Sequence, residues 1–77
     1  MKAEYDKKAD AIYIYLDDRA VDHTEKLDDF RYIDYAHDNT PVGIELLCVS
    51  DGVITNDLPQ RSKIEVLLAQ YHIKLFA

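Results

Sequence analysis

The chain has 77 residues, one cysteine, two glycines and a formal net charge of −6 at neutral pH. That length holds one domain and rules out a large core, since a chain of this size buries only roughly 60–65% of the surface its unfolded form exposes. A single thiol excludes an internal disulfide, and the acidic balance argues against autonomous binding to a phosphate backbone.

Lys2 to Tyr5 alternates and reads as a first strand. Asp6 to Asp10 reads as a turn, because aspartate side chains bond the backbone just ahead of them. Ala11 to Leu16 follows as a second strand, rich in β-branched and aromatic residues. Its period of two puts Ile12, Ile14 and Leu16 on one face and Ala11, Tyr13 and Tyr15 on the other. The Ile/Leu face is the expected core face. After the polar break Asp17-Asp18-Arg19, the weak alternation of Val21 to Leu27 suits an edge strand guarded by charge. Phe30 to Tyr35 is a further strand with aromatic residues on both faces.

Ala36 to Pro41 is a loop rich in Asp, Asn, Thr and Pro. Val42 to Leu47 alternates most cleanly, with Val42, Ile44 and Leu46 inward. Gly43 in that strand implies close approach of another group, and a tyrosine ring from a neighbouring strand is the expected one. Beyond the turn at Asp51-Gly52 the period changes. Ile64, Leu67, Leu68 and Tyr71 form one helical stripe. The helix is expected to begin near Asp57, with Pro59 in its first turn, or else at a capping box of Ser62 and Glu65. The apolar tail Ile73 to Phe76 is expected to be docked. These elements predict an α+β domain over residues 1–77: an antiparallel meander of four to five strands (1–56), then one C-terminal helix and tail (57–77).

Tyr5-Asp6, Ala9-Asp10-Ala11, Tyr13-Ile14, Asp34-Tyr35 and Val42-Gly43-Ile44-Glu45 occur here in an order and spacing that resemble the small prokaryotic proteins catalogued as domain of unknown function 2283. The resemblance covers about residues 4–48. It implies a compact β-rich fold and no established activity, with some members resembling partners of small toxin-like proteins. The chain departs from the pattern at Ala36 to Pro41, where a tight Asp-Gly turn is usual, and in its C-terminal helix, which many members lack.

Little of the usual chemistry is present. The paired carboxylates Asp17/Asp18, Asp28/Asp29 and Asp34/Asp38 fit turns and solvated edges better than a cation loop. His37 lies near Asp34 and Asp38, but one cysteine and three scattered histidines fall short of a zinc ligand set. Cys48 is expected to be a small buried residue rather than a nucleophile. Two glycines allow no phosphate-binding loop.

The expected function is therefore non-catalytic protein interaction, with no cofactor and no metal. The expected partners are a second copy in a homodimer and a basic protein, the latter in an antitoxin-like role with the C-terminal segment packing into the partner. The candidate interface residues are Tyr13, Tyr15, Tyr32, Tyr35, Leu67, Leu68, Tyr71 and Phe76. The alternatives are a small metal-dependent hydrolase or nuclease using Asp34, His37 and Asp38, or a nucleic-acid-binding regulator acting through the basic end. Residues 1–57 carry 14 acidic against 6 basic side chains, while Glu65 faces Arg61, Lys63 and Lys74 beyond them. The single thiol and the absence of a secretory pattern or membrane-length apolar run imply a cytoplasmic setting.

Overall fold

A computed structural model describes residues 1–76. It contains β1 (Lys2–Asp6), β2 (Ala11–Tyr15), β3 (His23–Asp28), β4 (Arg31–Tyr35), β5 (Pro41–Leu47), a 3-10 turn (Val49–Asp51) and α1 (Arg61–Gln70). All five strands form one antiparallel sheet followed by a single helix, as the α+β reading expects. The strand order is β1-β2-β5-β4-β3, so the meander is interrupted: β5 inserts between the β1–β2 hairpin and the β3–β4 pair. The reason lies in its side chains. β5 carries the apolar row that β2 and β4 both need, and register aligns Ile14, Ile44 and Ile33 across the three strands. β3, poor in buried residues, is left at the edge.

Tight turns follow the aspartates. The Asp6 carboxylate accepts the Ala9 N–H at 3.1 Å. Asp28 Oδ1 accepts the Phe30 N–H at 3.0 Å. Asp10 adopts φ 54°, and its carboxylate accepts the Ser50 N–H at 2.9 Å and the Ser50 hydroxyl at 2.6 Å. This fastens the first hairpin to the 3-10 turn.

The core lies between one sheet face and the C-terminal segment. Ile12, Ile14, Ile33, Ile44 and Leu46 from the sheet meet Val49, Val53, Leu58, Ile64, Leu67, Leu68 and Ile73. The helix therefore packs on its own sheet, on the Ile/Leu face. Its ends differ from expectation. Gln60 is the N-cap at φ 53° and makes no side-chain cap bond, so neither Asp57 nor Ser62 starts the helix. Asp57, three residues ahead of that cap, is itself left-handed at φ 68°, outside the extended backbone from which an aspartate side chain caps a helix. Glu65 is occupied elsewhere, accepting the Thr55 hydroxyl at 2.6 Å and the Arg61 Nε–H at 3.3 Å. At the other end the Ile73 N–H bonds the Leu68 carbonyl and the His72 N–H the Ala69 carbonyl, a Schellman closure with His72 at φ 59°. The tail is docked: the Val53 N–H donates to Lys74 O at 3.0 Å and the Phe76 N–H to Val53 O at 2.8 Å.

Arg31 ties sheet to tail. Its side chain is 11% exposed and pairs with Asp28 at 2.8 Å. One guanidinium nitrogen also donates to the Ile54 and Asn56 carbonyls, at 3.0 and 2.6 Å.

Replacing Arg31 removes its part-buried bonds to the Ile54 and Asn56 carbonyls and to Asp28, so Arg31→Met should lower unfolding free energy by about 1–3 kcal/mol in urea titrations. The same variant should flatten the acid limb of stability. The bond from Arg31 holds the Asp28 carboxyl below the usual carboxylate range. Its contribution is therefore complete above the ordinary carboxylate pKa and drains as pH falls through the lowered folded value. Conversely, His72→Gly should raise stability by about 0.5–1 kcal/mol, because a Cβ is unfavourable at that left-handed position.

Candidate functional site

The second face of the sheet is free of the helix. Register places Glu4, Tyr13, Glu45, Tyr32 and Lys26 in one cross-strand row and Lys2, Tyr15, Gly43, Asp34 and Thr24 in the next. Tyr13 leans over Gly43 so closely that a Cβ there would sit 1.9 Å from its hydroxyl oxygen. The expected ring over Gly43 is thus Tyr13, from the adjacent strand β2. Its hydroxyl donates to Asp34 Oδ2 at 2.5 Å, and the Thr24 hydroxyl donates to Asp34 Oδ1. Burial, reinforced by the Asp34 bond, pushes the Tyr13 phenol well above its ordinary range. Tyr15 meets Tyr13 edge-on at 4.9 Å, and Lys2 Nζ lies 5.0 Å from the Tyr15 ring centre. The bond to Glu4 raises the Tyr15 phenol too. These phenols are hydrogen-bond donors to carboxylates at neutral pH. They supply apolar ring area with fixed polar ends, and they are not poised to act as bases.

The tyrosines do not form one surface. Tyr13, Tyr15 and Tyr32 share the open face. Tyr35 has the parity of Ile33 and lies on the core side, packed against the core and stacked on His23 at 5.3 Å. Tyr5 is also on the core side, edge-on to Tyr71 at 5.7 Å. Of the helix candidates, Leu67 and Leu68 are buried in the chain's own core at 7% and 0% exposure. Tyr71 is half-buried beside them. Phe76 is 62% exposed.

Asp34, His37 and Asp38 are not brought together. Asp34 is engaged by Tyr13 and Thr24 on the open face. The His37 side chain is 97% exposed, with Nδ1 3.5 Å from Asp22. Asp38 pairs with Arg19 at 3.0 Å and accepts the Thr40 N–H. Among the described residues no cluster of three or more His, Cys, Asp or Glu side chains has metal-holding geometry. At the basic end, Arg61 is held by Glu65 and Thr55.

Cys48 is exposed, contrary to expectation. It sits at φ 54° where β5 gives way to the 3-10 turn, and Val49 takes the buried position instead. It borders an apolar cleft of about 230 Å³ lined by Phe30, Leu47, Val53, Ile54 and Phe76. That cleft was not foreseeable, because Phe30 and Ile54 come from separate turns without periodicity.

The family model described as Protein of unknown function (DUF2283) matches residues 2–50. The chain belongs to the DUF2283 family. No curated protein and no solved structure matches it. Within this DUF2283 chain, residues that carry the resemblance meet in space: Tyr13 crosses Gly43 to reach Asp34, and Asp10 fastens the 3-10 turn that follows β5. Among the described residues no helix is long and apolar enough to cross a membrane.

Gly43→Ala should cost about 1–3 kcal/mol by driving a methyl into Tyr13, and a Tyr13→Ala background should absorb most of that cost in a double-mutant cycle. In a spectrophotometric phenol titration, Tyr13 should still be neutral about one unit above the ordinary phenol pKa. The associated stabilisation is complete below pH 10.0, the ordinary value, and drains as pH climbs towards the raised folded one.

Proposed function

We propose that this DUF2283 protein is a non-catalytic interaction module that docks a basic protein partner on the open face of its sheet, in an antitoxin-like role. The observation that carries this reading is the placement of the helix. It covers the Ile/Leu face only, leaving Tyr13, Tyr15 and Tyr32 half-buried among Glu4, Asp34 and Glu45 with no helix packed over them among the described residues. Tyrosine is enriched where proteins meet, since it offers large area with two torsions and a polar tip. A partner arginine can stack on such rings while its guanidinium engages the neighbouring carboxylates. The net charge of −6 steers a basic chain towards the surface and repels an acidic one. The apolar stripe of α1 is occupied by the chain's own core, which favours the sheet face over the C-terminal segment as the docking element.

The test is recovery of tagged protein from its own host at natural levels, followed by mass measurement under native conditions. A stoichiometric basic chain should accompany the wild type. It should be reduced at least about tenfold with a Tyr15→Ala/Tyr32→Ala variant whose unfolding curve is unchanged. Recovery free of any other chain, or equal recovery by the variant, would overturn the reading.

A further inference from the structure

The two sheet edges are built differently. β3 is guarded. It has a register break between Lys26 and Asp28, and its core-side parity position carries a charge, Glu25, opposite Ile33. On β1 the core-side positions are Ala3 and Tyr5, both half-buried and both contacting the core. Beside them Met1 is 50% exposed and Val66 63%, and the two line one groove with Leu67 along this edge.

The hydrogen-bond phase of the sheet shows which backbone groups β1 leaves open. The Leu16 N–H donates to Val42 O at 2.9 Å and the Leu47 N–H to Phe30 O at 2.8 Å. With the antiparallel alternation, these aim the backbone of Ile12 and Ile14 at β5 and that of Ala11, Tyr13 and Tyr15 at β1. Lys2, Glu4 and Asp6, paired with those three, face β2. The N–H and C=O of Ala3 and Tyr5 therefore point away from the sheet.

We propose that a second copy of this chain pairs along β1, antiparallel, about a two-fold axis through Ala3, joining the two sheets edge to edge. A two-fold axis normal to the sheet keeps like faces together, which restricts the register to a few choices. Centring on Lys2 or Glu4 sets that residue against its own copy, and centring on Tyr5 sets Glu4 against Asp6. Each opposes like charges. Centring on Ala3 sets Lys2 of each chain opposite Glu4 of the other, Ala3 opposite Ala3, and Met1 opposite Tyr5. Every charged rung is then complementary. On the core side Met1, Ala3, Tyr5 and Val66 of both copies close over one another. The open faces of the two sheets become continuous on the other side.

Sedimentation equilibrium and a charge swap test this directly. The wild type should sediment at twice 8.9 kDa. Lys2→Glu and Glu4→Lys each set like charges across the axis and should weaken the dimer by about tenfold or more. The double variant Lys2→Glu/Glu4→Lys should restore it. A monomeric wild type, single variants that dimerise normally, or a double variant no better than the singles would each overturn the proposal. A readout that needs no variant is amide exchange. Ala3 and Tyr5 should be protected in concentrated wild-type protein and lose protection on dilution, and fast exchange at all concentrations would also overturn it. Neither measurement involves the basic partner.

Discussion

Everything in this molecule rests on the apolar row that β5 completes. Ile14, Ile44 and Ile33 lie side by side across three strands, at 0–4% exposure, and Ile64 and Leu68 of the helix belong to the same cluster with no exposure at all. A sequential meander would set β2 against charged β3 and leave this row broken. Insertion of β5 brings like residues together on both its sides, and the non-sequential strand order is the cost of that arrangement. Hydrophobic burial is strong enough to decide it, since each fully buried isoleucine or leucine gains roughly 1.5–3 kcal/mol over exposure.

The family match ends at residue 50, yet half of the core lies beyond it. Val53, Leu58, Ile64, Leu67, Leu68 and Ile73 all come from the segment after the sheet. Two polar ties join the parts. Asp10 holds the start of that segment through Ser50, and Arg31 reaches past the strand ends to the carbonyls of Ile54 and Asn56. Arg31 is the more consequential, because its own side chain is largely buried and these carbonyls, with Asp28, are what satisfy its donors there. The sheet and the C-terminal segment are therefore one cooperative unit, although only the sheet carries the family pattern.

The strands, their faces and the helical stripe were legible because each obeys a period that side-chain chemistry imposes. Ile12, Ile14, Val42, Ile44 and Leu46 all face the core as alternation requires. Gly43 was readable for the same reason, since a missing side chain mid-strand calls for an occupant. Strand order was not legible, because periodicity says which face is buried but not which neighbour is chosen. The helix ends were hidden by Gln60 and His72, which hold left-handed backbone where glycine is the recognisable marker. Tyr35 shares the parity of Ile33, so alternation alone separates it from Tyr13, Tyr15 and Tyr32 and sets it on the core side. Arg31 could not be found at all, since two of its acceptors are main-chain oxygens from a different part of the chain.

The β3 edge has one further consequence. Its register break and its outward charges leave no straight run of donors and acceptors for another strand to copy. A sheet with both edges open can add subunits without limit, as fibrils do. A sheet closed on one side can be extended only from the other, and an antiparallel pair of identical strands uses up that side in a single step. In the dimer proposed along β1, growth therefore terminates by geometry, and an apolar, tyrosine-rich sheet would form a discrete particle instead of a filament.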